Sequence, residues 1–128
     1  MYLYGASGHC KVIIDSIESS TSKKIEGVFD DDISLKKILN IPVFKYETFD
    51  KQLISELLIS MGNNSVRKLI TESIKATYGT VIHANACVSK YAFVNEGTAI
   101  LANAVVNASA NIASSSSDIS GNTLSEFT

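Results

Sequence analysis

Every sixth residue from position 86 is small: Ala86, Ala92, Thr98, Ala104 and Ala110. Two residues after each stands an aliphatic β-former: Val88, Val94, Ile100, Val106 and Ile112. A fixed period marks a repeat architecture, and a six-residue period suits a β-helix. Each unit supplies one short strand whose aliphatic side chain points inward, while the small residue lets the chain turn a tight corner. Ordinary strand alternation would give a period of two. The beat stops after Ile112: a small residue, Ser116, is in place, but Asp118 stands where an aliphatic is required. A solenoid buries its core by stacking, so five hexads describe an incomplete β-helix over residues 81–112. The Ser-rich segment 113–128 is expected to be disordered or irregular.

Residues 1–80 carry a different pattern. A short apolar run at 2–4 leads into Gly5-Ala6-Ser7-Gly8-His9, after which Cys10, Ile13, Ile14 and Ile17 trace one face of a helix. A strand, a glycine turn and a helix in that order present free amides and a positive helix end to an anion, usually a phosphate. The dinucleotide fingerprint is G-x-G-x-x-G. Here Gly5 and Gly8 are separated by Ala6 and Ser7, so an NAD enzyme is a weak reading.

Lys24 to Phe29 reads as a second strand, ending in Asp30-Asp31-Asp32. An acid there is where a Rossmann-like unit places a ribose acceptor, which makes Asp30 or Asp31 a candidate ligand contact. Leu35, Ile38 and Leu39 suggest a short helix over 34–39, and Ile41-Pro42-Val43-Phe44 an extended segment. Phe49, Leu53 and Ile54 suggest a further helical turn or two.

Leu57 to Met61 reads as a buried parallel strand ending in Gly62-Asn63-Asn64. A helix follows, with Val66, Leu69, Ile70, Ser73 and Ile74 on one face and Asn64 or Ser65 as its N-cap. Tyr78-Gly79 is expected to close it. Both glycine junctions lie at the carboxyl ends of strands, where open α/β sheets bind ligands, so they could address one crevice. Arg67 stands one turn into that second helix as a further candidate contact.

Net charge is -2 with no basic stripe, which argues against nucleic acid. No apolar run approaches a membrane span, and no signal peptide is expected. Cys10 and Cys87 are far apart and outside metal-like spacing, so reduced thiols, a cytoplasmic setting and no metal are expected.

A small Rossmann-like unit followed by hexapeptide repeats resembles bacterial sugar acyltransferases of the sialic-acid O-acetyltransferase and UDP-4-amino-sugar N-acetyltransferase type. The resembling pieces are Tyr4-Gly5-Ala6-Ser7-Gly8-His9 with Lys11-Val12, Phe29-Asp30-Asp31, Met61-Gly62-Asn63-Asn64 with Arg67, and Val81-Ile82-His83. The resemblance implies an α/β fold: a nucleotide-sugar-binding domain, then a left-handed parallel β-helix that forms a homotrimer and takes acetyl-CoA between coils. It implies phosphates near Gly5, Ala6, Ser7 and Gly8, and ribose or base near Asp30 and Asp31. More of the nucleotide would lie near Gly62 and Asn63, with His9 toward the sugar. Catalysis in such enzymes uses a histidine base on a later coil.

Three departures stand out: Cys10 replaces a usual glycine, Ala84 a usual proline, and the only histidines are His9 and His83. His83 matches the entry to the coil rather than the base. The expectation is therefore a shortened sugar acetyltransferase that keeps its nucleotide-sugar site and has no catalytic residue of its own. The alternatives are a non-catalytic binding or regulatory module and a non-functional truncation product.

Overall fold

The computed structural model describes residues 1–20, 23–32 and 34–112, and the backbone of 118–119 and 123–124. The first part is built on a five-stranded sheet. Its strands are β1 (Tyr2–Tyr4), β2 (Gly27–Phe29), β3 (Lys37–Ile38), β4 (Ile41–Phe44) and β5 (Leu57–Ile59), in the spatial order β3-β4-β2-β1-β5. All pairings are parallel except β3 with β4.

Alternation along these strands sorts the apolar residues onto two faces. Leu3 pairs in register with Val28 and Leu58, and all three pack with Cys10, Ile13, Ile14 and Ile17 of helix α1 (Gly8–Ser20). Tyr2, Phe29, Leu57 and Ile59 point to the other face, against Phe49 and Ile70 and Ile74 near helix α2 (Asn64–Ser73). Phe29 is the centre of that layer, with ring centroids 5.4 Å from Tyr2 and 5.0 Å from Phe49. The result is three layers, with one helix on each side of the sheet.

The helix expected over 34–39 is absent. Lys37–Ile38 instead pairs antiparallel with Ile41–Phe44 around Leu39 and Asn40, whose φ angles are 46° and 68°. A two-residue hairpin with both central φ positive needs a residue such as Asn that tolerates the left-handed region. The spacing of Leu35, Ile38 and Leu39 imitated a helix, while Leu39 is exposed at the hairpin tip. The turn expected near Phe49–Ile54 is one 3-10 turn, Lys51–Leu53. Helix α2 ends at Ser73 rather than at Tyr78, which bridges to Leu57.

From Val81 the chain makes two-residue strands: β6 (Val81–Ile82), β7 (Cys87–Val88), β8 (Phe93–Val94), β9 (Ala99–Ile100), β10 (Val105–Val106), β11 (Asn111–Ile112), β12 (Asp118–Ile119) and β13 (Thr123–Leu124). They stack in parallel as β6-β9-β12, β7-β10-β13 and β8-β11. Val81 pairs with Ala99, eighteen residues on, so three hexads close one circuit. Ile100, Val106 and Ile112 are buried together with Ala104 and Ala110, and Val88 and Val94 pack against them. The corners at Gly97, Asn103 and Ser109, six apart, all have positive φ (78°, 65° and 68°).

The stacking extends beyond Ile112. Asp118–Ile119 pairs with β9 and Thr123–Leu124 with β10, so these four residues of the tail expected to lack structure are strands. The rest of 113–128 lies outside the described residues. Ile119 comes seven residues after Ile112 and Leu124 five after that, a shift that a strict count of six passes over.

No flexible linker joins the two parts. Val81, Ala99 and Leu101 share the core of α1, Ala84 N–H donates to Ser19 Oγ at 3.1 Å, and Lys23 Nζ bridges Glu56 (3.0 Å) and the Thr80 carbonyl (3.3 Å).

Candidate functional site

The connections out of β1 and β5 leave in opposite directions, because β2 and β4 lie on one side of β1 and β5 on the other. In an open α/β sheet that switch point opens a crevice beyond the carboxyl ends of the strands. The two glycine junctions flank it. Gly5 follows β1 with φ +113°, its amide donates to the Phe29 carbonyl at 2.8 Å, and its carbonyl accepts Ser60 Oγ–H at 2.6 Å. A Cβ at Gly5 would lie 2.4 Å from Met61 Cγ. A Cβ at Gly62 would lie 3.7 Å from the Cβ and Cγ of His9, so the two loops abut. A Cβ at Gly8 would meet nothing within 4 Å.

Helices α1 and α2 both begin at this edge, and neither has an acid in its first turn to offset its positive end. Ser7 and Gly8 are exposed. With Ala6 and Lys11 they form one wall of a cleft of about 340 Å³, whose other wall is Leu35, Lys37, Ile38 and Leu39. Lys37 and the hairpin are the part that sequence reasoning missed. The signal available was Asn40, a turn residue directly between the supposed helix over 34–39 and the extended segment that begins at Ile41. A cleft of about 270 Å³ lined by Ile17, Ser20 and Val81 opens at the other end of α1, away from the glycine turns.

The expected site residues divide by what they touch. Gly5, Ala6, Ser7, Gly8, His9, Gly62 and Asn63 gather at the switch point. Asn63, not Asn64 or Ser65, is the N-cap of α2: its Oδ1 accepts Val66 N–H at 3.0 Å. Arg67 is buried, 3% exposed, while Leu69 on the expected apolar face is 65% exposed. The inward face of α2 is therefore Arg67, Ile70 and Ile74. Arg67 Nη1 donates to the Met61 carbonyl at 2.8 Å and Nη2 to Asn64 Oδ1, which ties the Gly62 loop to the helix. Asp30 Oδ2 accepts the Ala6 amide at 2.8 Å, and Asp31 is exposed.

Cys10 lies in the first turn of α1 and faces the core. Its thiol is fully buried, and burial pushes its pKa from 9.0 up to about 11 despite a hydrogen bond with Ser60. Tyr4, half-buried, is raised first by burial and then by the charge of Asp31.

Residues 1–74 match the PglD N-terminal domain. The chain belongs to that family. It is 37% identical over 109 residues to a UDP-N-acetylbacillosamine N-acetyltransferase of Bacillus subtilis (strain 168), an alignment covering 78% of this chain and 50% of that protein. The chain thus spans about half the length of this curated relative. Its fold matches a mutant perosamine N-acetyltransferase from Caulobacter crescentus, solved with CoA and GDP-perosamine. The TM-score is 0.86 at 24% identity, over 96% of this chain and 61% of that one. It also matches the acetyltransferase domain of PglB from Neisseria gonorrhoeae FA1090, solved with acetyl coenzyme A. There the TM-score is 0.74 at 26% identity, over 87% of this chain and 57% of that one. The likeness to bacterial sugar acyltransferases holds, and acetyl-CoA is the co-substrate of the family. Among the described residues no helix is long and apolar enough to cross a membrane.

Proposed function

We propose that these residues form the nucleotide-sugar side of an acetyl-CoA-dependent sugar acetyltransferase. One observation carries the reading: the β1–β5 switch point brings the Gly5–Gly8 turn and the Gly62 loop against each other ahead of two helix N-termini. A diphosphate beside the Gly5–Gly8 turn meets exposed Ser7 and Gly8, the uncompensated end of α1 and Lys11, with Lys37 on the opposite wall of the same cleft. A UDP-linked amino sugar fits better than NAD, because the turn lacks the third glycine that the dinucleotide fingerprint uses for close packing. The named activity of the Bacillus subtilis relative supports the same substrate class.

In this reading Gly5, Ala6, Ser7 and Gly8 shape the phosphate turn, and the ribose or base lies near the Asp30-Asp31 pair. Gly62, Asn63 and Arg67 form and hold the facing wall, and His9 lies toward the sugar. Residues 1–80 are the nucleotide-sugar-binding domain. The stacks from Val81 wind as a left-handed β-helix, through which a cytoplasmic homotrimer assembles and binds acetyl-CoA between coils.

In transfer, the sugar amine or hydroxyl attacks the thioester carbonyl. A C–N or C–O bond forms, the C–S bond breaks, CoA leaves as the thiol, and the nucleophile's proton passes to a base. His83 is not read as that base: its ring is buried, and its Nδ1 accepts Asn85 N–H at 2.9 Å. This favours a second reading in which these residues bind and orient the nucleotide sugar without performing transfer.

Calorimetry with UDP and UDP-amino sugars, beside an acetyl-CoA-dependent acetylation assay, tests both. Saturable one-to-one heat is expected. Heat with no turnover supports the binding-only reading, turnover supports the transferase, and no heat with any nucleotide sugar rules out both.

A further inference from the structure

Three aspartates follow β2, and hydrogen bonding gives them different tasks. Asp30 spends both oxygens on the main chain: Oδ2 accepts Ala6 N–H at 2.8 Å and Oδ1 accepts Asp32 N–H at 2.9 Å. Asp32 is spent on its own loop, its Oδ1 accepting the amide and hydroxyl of Ser34 at 3.0 and 2.7 Å. Asp31, between them, is exposed and makes no hydrogen bond among the described residues.

The bond from Ala6 to Asp30 crosses from one loop to the next, and it changes which amides can serve an anion. A phosphate turn works through free N–H groups. Here the Gly5 amide is committed to Phe29 and the Ala6 amide to a carboxylate. An anion seeking the Ala6 amide would meet a negative charge already holding it. Ser7 and Gly8, both exposed, keep amides with no partner among the described residues.

We propose that Asp30 is a positioning residue rather than a ligand contact. By holding the Ala6 amide it sets the turn so that Ser7 and Gly8 face the diphosphate, and it leaves Asp31 as the acid that reaches the ribose or base. This rests on the nucleotide-sugar reading above. It also separates two neighbouring acids that the sequence alone treats as equivalent.

Titration of the ¹⁵N-labelled chain with UDP tests the assignment without any substitution. The amides of Ser7 and Gly8 should shift most and that of Ala6 least within the turn. The largest shift at Ala6 would overturn the proposal. Calorimetry on variants gives a second, independent readout. Asp30→Ala should weaken UDP binding about tenfold. Asp30→Asn should fall between wild type and Asp30→Ala, because its single amide oxygen can accept from Ala6 or from Asp32 but not from both. An unchanged Kd in a folded Asp30→Ala variant contradicts the positioning role. If the wild-type chain shows neither shifts nor heat with UDP or GDP, the nucleotide-sugar reading itself fails and takes this one with it. If the wild type binds and the variants do not differ, only the role of Asp30 is lost.

Discussion

Gly5 and Met61 close on each other across the carboxyl ends of β1 and β5: a Cβ on Gly5 would come within 2.4 Å of Met61 Cγ. The approach leaves no room for a side chain at Gly5 unless Met61 moves. The Met61 side chain could yield, but the backbone could not relax as easily, because φ at Gly5 is +113°. Outside glycine that conformation is strained. Gly5→Ala should therefore destabilise the chain by about 2 kcal/mol in chemical denaturation. Gly8→Ala, with open space around it, should not.

Cys10 should make stability fall with alkaline pH. The unfolded thiol titrates near 9.0 and the folded one at about 11, because burial disfavours the thiolate. The contribution is complete below pH 9. Between pH 9 and 11 the unfolded chain releases a proton that the folded chain keeps, so stability drops, by about 3 kcal/mol once pH passes 11. The measurement is the difference between wild type and Cys10→Ala across pH 8 to 11. That difference should shrink or reverse as pH rises. In the native state at pH 8, iodoacetamide should label exposed Cys87 and leave Cys10 unmodified.

Arg67 should matter to the loop more than to any ligand directly. Truncating it strands the Met61 carbonyl and removes a buried guanidinium that fills space under α2. Arg67→Ala should cost about 3 kcal/mol in urea unfolding. Arg67→Lys should recover little of this, since an ammonium cannot reach Met61 and Asn64 with the same planar fork.

The coil should report its own packing. Ile100 is fully buried among Val106, Ala104 and their neighbours. Ile100→Ala should cost about 3 kcal/mol. Val88→Ala, at a half-buried position of the same series, should cost less. Equal losses at both sites would mean that the stacks are not the core that the burial of Ile100 describes.

How far the sequence disclosed this arrangement follows from which residues act locally. The hexads were legible because one small and one aliphatic position repeat every six residues, and Ile100, Val106 and Ile112, which that beat turns inward, are buried. Helix α1 was legible because Cys10, Ile13, Ile14 and Ile17 keep helical spacing. The β3–β4 hairpin was not, since Leu35, Ile38 and Leu39 satisfy helical spacing by coincidence and the pairing partner lies beyond the turn. The inward turn of Arg67 was hidden because a charged residue reads as surface until its acceptor, the Met61 carbonyl, is known. The split between Asp30 and Asp31 needed the long-range bond from Ala6, which no local pattern encodes.

Gly8 offers the most direct test of the crevice as a nucleotide-sugar site. A Cβ there meets no protein atom within 4 Å, so Gly8→Val should leave the fold intact while its methyl groups occupy the space a phosphate needs. UDP binding measured by calorimetry should give a saturable, one-to-one isotherm for the wild type and at least about tenfold weaker binding for Gly8→Val at an unchanged unfolding midpoint. Equal affinity in the two chains would contradict the account, because the nucleotide would then be held somewhere other than between Gly8 and Gly62.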